Sequence, residues 1–200
     1  MDHKTIDFYN QNAEKLTAQY LQADRSELQR ILQQWIPPGS NVLEIGCGCG
    51  LDSVFLASIA DKVTATDASD EMLHQANQII EKHRLSRRIL LKQAIFPLEP
   101  ENPLLNEQFD VIVCIATIMH IPDHELFDFA YQIRAMLKNQ GIFICSFSLD
   151  GEISHDDQRL YIDREPTEIT LLFERLGFRL LRQEDNQDGL GRAINWTTLI

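Results

Sequence analysis

Two apolar patterns alternate along this chain. Apolar residues at helical spacing predict helices, and short apolar runs without alternation predict strands that are buried on both faces of a parallel sheet. The predicted helices lie within residues 4–35, 51–60, 68–83, 123–137 and 166–176. The predicted strands are residues 41–45, 62–66, 88–92, 109–115, 142–147, 178–183 and 193–200.

The order of these elements predicts the fold class. A strand and a helix alternate five times, which is typical of a doubly wound α/β fold. The last two predicted strands have no helix between them and are joined by a glycine-containing loop at 184–192. We therefore expect a Rossmann-like sheet of seven strands, mostly parallel, that ends in an antiparallel pair at its C-terminal edge. We assign residues 1–200 to a single domain, with an N-terminal helical segment at 1–36 and a core at 37–200.

The charge balance limits the partners that we expect. The chain has 18 basic and 30 acidic residues, a formal net charge of −12, which repels nucleic acid and anionic lipid surfaces. No apolar run approaches the ~18 residues of a membrane span, and the N-terminus has no basic-then-apolar signal pattern. We expect no nucleic-acid partner, no membrane, a cytoplasmic location, and a monomer or homodimer.

Four cysteines bear on the redox environment and on metal binding. Cys47 and Cys49 stand in a glycine turn, whereas Cys114 and Cys145 lie inside predicted buried strands. Reduced cytosolic thiols fit this placement better than a disulfide framework does. A metal site at the two cysteines of the turn is the alternative. No His or Cys stands at a usual zinc spacing from them, so we predict no metal.

The first predicted strand ends in a glycine turn, Glu44-Ile45-Gly46-Cys47-Gly48-Cys49-Gly50. A backbone without Cβ can adopt positive φ and lie close to a ligand, and doubly wound folds bind ligands at the carboxyl ends of their strands. Asp67 ends the second strand, where a carboxylate can accept both hydroxyls of a ribose. Dinucleotide sites space their third glycine one residue further on, and Glu44 would oppose a pyrophosphate but suits a cation. These residues predict a cationic, adenosine-containing ligand.

This pattern resembles motif I of the class I S-adenosylmethionine (SAM)-dependent methyltransferases, in their small-molecule, type 11/25-like branch. The resemblance covers residues 35–183 and includes five further segments in the family's order. These segments are Val63–Ser69, Met72-Leu73, Phe109–Val113, Met136–Lys138 before Gly141, and Leu171–Phe173 before Gly177-Phe178. The resemblance implies SAM as cofactor, S-adenosylhomocysteine (SAH) as its product, and methyl transfer by in-line displacement.

The resemblance also implies which residues bind the cofactor. They are Tyr9, Glu44, Gly46, Cys47, Gly48, Gly50, Asp67, Ala68, Met72, Ala94 and Ile115. The glycine turn would cradle the methionine part, Asp67 would hold the ribose hydroxyls, and Ala68 and Met72 would pack on the adenine. Many members have an acidic residue that binds the adenine amino group where this chain has Gln93, so we do not carry that contact over.

His120 is the candidate catalytic residue, as a general base. It follows the fourth strand at the carboxyl edge of the sheet, and imidazole titrates near neutral pH; a structural or substrate-packing histidine is the alternative. The resemblance implies that the N-terminal helix forms a lid in which Tyr9 and Tyr20 cover the cofactor, with core packing as the alternative. The weaker candidates for the acceptor side are Arg159, Tyr161, Arg192 and Trp196. His155 is a candidate for lining a lid after the fifth strand, with a solvated loop histidine as the alternative.

Three functions are compatible with these residues. The first is methyl transfer from SAM to a small molecule. It is favoured by the acidic charge and by the absence, after the fourth strand, of the Asn/Asp-Pro-Pro-aromatic stretch of enzymes that methylate base nitrogens. A tRNA or protein acceptor is an alternative with the same chemistry. The second function is a catalytically silent SAM-binding subunit that regulates a partner, and the third is a nucleotide-dependent oxidoreductase, which the glycine spacing disfavours.

Overall fold

The computed structural model of the protein describes residues 2–149 and 159–200. Its helices are α1 His3–Tyr20, α2 Ser26–Trp35, α3 Leu51–Ile59, α4 Asp70–Lys82, α5 Asp123–Met136 and α6 Pro166–Arg175. Its strands are β1 Asn41–Ile45, β2 Lys62–Asp67, β3 Ile89–Gln93, β4 Phe109–Ile115, β5 Leu137–Ser148, β6 Gln183–Gln187 and β7 Asn195–Leu199. His155, the candidate lid residue after the fifth strand, lies outside the described residues.

The seven strands form one sheet in the order β3-β2-β1-β4-β5-β7-β6. Strands β1 to β5 are parallel, and β7 is antiparallel to both β5 and β6. The predicted α/β sheet with its antiparallel C-terminal pair is therefore confirmed. The chain proceeds from β1 to β2 and β3 on one side and returns to β4 on the other. This reversal opens a crevice at the carboxyl ends of β1 and β4.

Alternate residues of the central strands face two apolar layers. Leu43 and Ile45 of β1 belong to the layer that contains Phe129 of α5, whereas Val42 belongs to the layer that contains Leu32 of α2. Each of these side chains is at most 2% exposed. Burial on both faces explains why these strands have unbroken apolar runs in the sequence.

Helix α1 is attached to the carboxyl edge of the sheet through the start of α4. Ser69 caps α4, since its Oγ accepts the Met72 N–H at 3.1 Å, a bond that satisfies an otherwise unpaired donor of the first turn. The same hydroxyl donates to Asn10 Oδ1 of α1 at 2.6 Å. The N-terminal helix therefore lies directly beside Asp67, at the end of β2.

One predicted strand is wrong in position. The sequence predicts a strand at 178–183, but Leu180 and Leu181 are 38% and 46% exposed and the strand β6 begins at Gln183. As an edge strand, β6 bonds to a neighbour on one side only, so it needs no apolar run. Its polar residues alternate between partly buried and exposed, and apolar periodicity therefore could not locate it.

None of the helices in the two described ranges combines the length and the apolar character that a bilayer crossing needs.

Candidate active site

A cavity of about 700 Å³ opens at the carboxyl ends of β1, β2 and β4. This volume lies within the range typical of small-molecule and cofactor sites. Its floor is the glycine turn after β1, and residues of α1 and of the β6–β7 loop contribute to its walls. The loop is held to the N-terminal segment because the Asp24 N–H donates to the Gly189 carbonyl at 2.8 Å. The switch point of the sheet is thus enclosed from the N-terminal side and from the C-terminal hairpin.

The glycine turn packs closely at one glycine and leaves space at another. Gly46 has φ +74°, and a Cβ on it would come within 2.0 Å of Thr117 Oγ1. At Gly48, with φ +53°, a Cβ would meet only the Met72 methyl carbon at 3.4 Å. The backbone of Gly48 therefore faces open space that a side chain would fill. This is the arrangement expected where a ligand lies on the backbone.

Asp67 is oriented by the turn itself. Its Oδ2 accepts the Gly48 N–H at 2.8 Å, and its Oδ1 accepts the Ser69 N–H at 2.9 Å. Burial raises the pKa of Asp67 above its ordinary value, and the backbone donors at Ser69, Gly48 and Ala68 oppose that rise. Each oxygen of an ionised carboxylate has a second acceptor position. Asp67 can therefore accept further donors from the cavity, as two ribose hydroxyls require.

Glu44 lies below the turn and outside the cavity wall. It is 2% exposed, and its Oε2 accepts a hydrogen bond from Ser53 Oγ of α3. Burial and the charge of Asp52 raise the pKa of Glu44 to about 8, against the opposing effects of Ser53 and Arg25. Near neutral pH this carboxyl is therefore largely protonated in the folded protein.

The raised pKa of Glu44 predicts a pH dependence of stability. A proton is bound more tightly in the folded than in the unfolded state, so stability falls as pH rises from the ordinary value of 4.5 and levels off above about 8. The contribution of this one group has a slope of at most about 1.4 kcal/mol per pH unit. Urea denaturation of wild type and Glu44→Gln at pH 5, 6.5 and 8 measures it. The stability difference between the two proteins should change in favour of Glu44→Gln as pH rises, and parallel curves would contradict the prediction.

The structure brings together most of the residues predicted from sequence. Those that line the cavity are Tyr9, Gly46, Cys47, Gly48, Asp67, Ala68, Met72, Ala94, Ile115 and His120. Glu44 and Gly50 do not line it; Gly50 instead approaches Ala76 of α4. The cavity is also lined by the lid candidate Tyr20 and by the acceptor-side candidates Arg159, Tyr161, Arg192 and Trp196.

His120 is held in a hydrogen-bonded chain. It is 3% exposed, its Nδ1 lies 2.6 Å from the Leu160 carbonyl oxygen, and its Nε2 lies 3.1 Å from the Tyr9 hydroxyl. A carbonyl oxygen only accepts, so Nδ1 carries the proton and Nε2 of the neutral ring is the basic nitrogen. Tyr161 packs edge-on against the imidazole at 5.8 Å, and burial raises the pKa of Tyr161 to about 12. The Tyr161 hydroxyl therefore stays protonated near pH 7.

Two ion pairs of the cavity wall were not found from the sequence. Arg25 binds Asp52 at the first turn of α3, and Arg192 Nη2 donates to Asp188 Oδ1 at 2.6 Å. Asp188 also accepts the Trp196 indole N–H at 3.1 Å. Burial alone would raise the pKa of Asp188, but the bonds from Arg192 and from backbone N–H groups hold it at about 2. Arg25 and Asp52 are 27 residues apart, whereas Arg192 and Asp188 lie four residues apart in the β6–β7 loop. No motif in the sequence marks either pair.

The cysteines are buried thiols. All four are free, and burial raises the pKa of Cys47 and Cys49. Cys114 and Cys145 are register partners on β4 and β5. Within the described ranges no three His, Cys, Asp or Glu side chains group in a way that could hold a metal ion.

Comparison with known families identifies the family of this chain. A family model described as a methyltransferase domain matches residues 42–141, half of the chain. The chain belongs to this methyltransferase family. The predicted resemblance to class I SAM-dependent methyltransferases is thereby confirmed. The cofactor of that family, SAM, is the one that the resemblance implied, and it is a cationic, adenosine-containing ligand as the glycine turn predicted.

Curated relatives of this methyltransferase match part of its length. A ubiquinone biosynthesis O-methyltransferase of Actinobacillus pleuropneumoniae serotype 5b (strain L20) is 30% identical over 111 residues, which are 54% of this chain and 45% of that protein. The protein of the same name from Xanthomonas campestris pv. campestris (strain B100) is 32% identical over 89 residues, 43% of this chain and 34% of that protein. The matched stretch thus spans less than half the length of these relatives.

Solved structures share the fold of this methyltransferase at low sequence identity. The structure of DhpI in complex with SAH has a TM-score of 0.69 at 22% identity and covers 98% of this chain and 95% of that one. Magnesium protoporphyrin IX methyltransferase from Synechocystis PCC 6803 with bound SAH has a TM-score of 0.74 at 16% identity, covering 97% and 95%. The similarity extends over nearly the whole chain in both cases.

Proposed function

We propose that this protein transfers a methyl group from SAM to a hydroxyl group of a small-molecule acceptor, and that His120 is the general base. The observation that carries the proposal is the position of His120. His120 lines the same cavity as the glycine turn and Asp67, and its Nδ1 is bonded to the Leu160 carbonyl, which leaves Nε2 as the basic nitrogen of the neutral ring.

The residues of the cavity fit SAM. The open space above Gly48 suits the methionine part, the free acceptor positions of Asp67 suit the ribose hydroxyls, and Met72 with Ala68 offers an apolar surface for the adenine. When bound, SAM supplies a methyl group on a sulfonium, which is activated for displacement. The chain itself contributes orientation and exclusion of water. We propose that the helices at 1–36 cap the core at 37–200 for this purpose, because Tyr9 and Tyr20 of α1 reach the cavity.

A hydroxyl acceptor accounts for the base. An alcohol or phenol is a weak nucleophile until its proton leaves, and a positioned imidazole near neutral pH assists that step. The curated relatives are named for O-methylation in ubiquinone biosynthesis, which supports the same class of acceptor. The net charge of −12 and the cover from α1 and the β6–β7 loop favour a small molecule over a nucleic acid.

Two measurements test the proposal against its alternatives. Calorimetric titration with SAH and with NAD should give binding to SAH alone. Turnover of methyl-labelled SAM against a panel of small phenols and alcohols should transfer the label to at least one of them. Binding of NAD in place of SAH would favour an oxidoreductase. Binding of SAH without turnover of any acceptor would favour a silent SAM-binding subunit.

Asp67→Ala tests the ribose contact. Removing a charged acceptor of hydrogen bonds should weaken SAH binding by roughly 1–3 kcal/mol, measured by titration calorimetry. Asp128→Ala, on the exposed face of α5, is the matched control and should bind SAH as wild type does. Equal affinity of Asp67→Ala and Asp128→Ala would remove Asp67 from the cofactor site.

A further inference from the structure

Three segments that are remote in sequence meet at His120. Tyr9 belongs to α1, His120 to the turn after β4, and Arg159 with Leu160 to the segment before α6. Arg159 Nη1 lies 3.1 Å from the Tyr9 hydroxyl oxygen, and that oxygen lies 3.1 Å from His120 Nε2. The chain of bonds ends at the Leu160 carbonyl, 2.6 Å from His120 Nδ1.

When the His120 ring is neutral, the donors and acceptors of these three hydrogen bonds are arranged in one direction. A guanidinium donates and never accepts, so the Tyr9 oxygen accepts from Arg159. A carbonyl accepts and never donates, so His120 donates from Nδ1 and its neutral ring accepts at Nε2. The Tyr9 hydroxyl must therefore donate its proton to Nε2. The Tyr9 hydroxyl thus accepts a hydrogen bond from the Arg159 cation and donates one to the basic nitrogen of His120. This arrangement allows it to pass a proton to His120.

Packing holds the three segments in this arrangement. The Leu160 N–H donates to Thr5 Oγ1 at 2.7 Å, and Thr5 is fully buried in α1. The Ile162 N–H donates to the Met119 carbonyl at 2.9 Å, next to His120. The Arg159 guanidinium carbon lies 4.8 Å from the centre of the Phe8 ring, a cation–π contact that orients it.

The Tyr9 hydroxyl occupies the position on Nε2 that an acceptor's hydroxyl would need. The acceptor's proton can reach Nε2 only if Tyr9 is displaced or if the proton passes through Tyr9. Displacement would break the bonds to both Arg159 and His120, whereas passage through the Tyr9 oxygen leaves the chain in place. Tyr9 and His120 both line the cavity, so a bound acceptor would lie beside both side chains.

We propose that Tyr9 is a second catalytic residue, a proton relay between the acceptor and His120, and that Arg159 is its positioning residue. The inference rests on the function proposed above. The acceptor's hydroxyl gives its proton to the Tyr9 oxygen while the Tyr9 proton moves to His120 Nε2. Tyr9 is unchanged overall, and His120 becomes an imidazolium. The acceptor oxygen then forms the new C–O bond, and the electron pair of the broken S–C bond stays on sulfur.

The kinetic test compares Tyr9→Phe, His120→Ala and the double variant. If Tyr9 relays the proton, kcat of Tyr9→Phe should fall about 10²-fold or more, and the double variant should be no slower than His120→Ala. Because the aromatic ring is retained, SAH affinity should change much less than kcat. Tyr131→Phe removes a hydroxyl from a 59% exposed side chain of α5 and should keep the wild-type kcat. A Tyr9→Phe enzyme as fast as wild type, or faster, would show that acceptors contact His120 directly and would overturn the relay.

A second measurement needs no turnover. Nitrogen-15 NMR of the free protein should show neutral His120 with its proton on Nδ1, and Tyr9→Phe should shift the resonance of Nε2, which loses its hydrogen-bond donor. A proton on Nε2, or an Nε2 resonance that Tyr9→Phe leaves in place, would overturn the relay. Either NMR result would overturn the relay even if wild type bound SAH and methylated an acceptor, so the proposed function would stand without it. The reverse combination, the expected NMR spectrum without SAH binding, would overturn the proposed function instead.

Discussion

Gly46→Ala is expected to destabilise the protein by about 2–5 kcal/mol and to abolish SAH binding. The new Cβ would come within 2.0 Å of Thr117 Oγ1 and 3.0 Å of Thr117 Cβ, and overpacking of this kind costs about 1–3 kcal/mol. The positive φ of +74° adds about 1–2 kcal/mol for a residue with a Cβ. Relief of the overlap would move either the floor of the cavity or the turn that leads to His120. Urea denaturation and SAH titration measure the two effects.

Gly39→Ala separates backbone strain from steric overlap. Gly39 has a similar φ of +82°, but a Cβ there would meet nothing within 4 Å. This control should therefore lose only the strain component and keep SAH affinity. The double variant Gly46→Ala/Thr117→Ala lacks the Thr117 hydroxyl and methyl that the new Cβ would meet. It should therefore recover part of the stability that Gly46→Ala loses. Equal losses in Gly39→Ala and Gly46→Ala would show that Thr117 moves aside without cost.

His120→Ala is expected to lower kcat by about 10²- to 10⁴-fold, the usual contribution of a general base. SAH affinity should stay close to that of wild type, because Asp67 and the glycine turn are untouched. Labelled-SAM turnover with the best acceptor of the panel measures kcat, and calorimetry measures SAH binding.

His124→Ala is the matched control for His120→Ala. The side chain of His124 is 81% exposed at the start of α5, only four residues further along the chain. It should leave both kcat and SAH affinity at the wild-type level. If His120→Ala had the same kcat as His124→Ala, His120 would have a structural role. A general base would then have to be sought elsewhere in the cavity.

The sequence predicted an element correctly where the burial of a strand in the sheet leaves a clear apolar pattern in the chain. β1 and β4 are buried on both faces, so their apolar runs mark both their existence and their limits. The glycine turn and Asp67 follow parallel strands, and the carboxyl ends of parallel strands meet at one edge of the sheet. Their convergence on one cavity follows from that topology, and the cavity contains both.

The sequence pattern did not show features that depend on incomplete burial or on contacts between segments remote in the chain. The edge strand β6 consists of Gln183–Gln187 and has no apolar run to mark it. Glu44 was predicted to face the cofactor from its place in the motif, but the side chain points below the turn to Ser53. Its direction depends on strand pleat and on the packing of α3, so its role toward the cofactor stays a prediction.

By itself, then, the sequence determined the α/β order, the family and the cofactor, because these are encoded in residues that lie close together in the chain. Only the tertiary structure decided the surroundings of His120. Tyr9 is 111 residues from His120 and 150 residues from Arg159 along the chain. The direction of the proton chain depends on which atoms lie within hydrogen-bond distance after α1 packs against α4 and Leu160 binds Thr5. Those distances are set by side-chain rotamers and packing between remote segments, which no local pattern specifies.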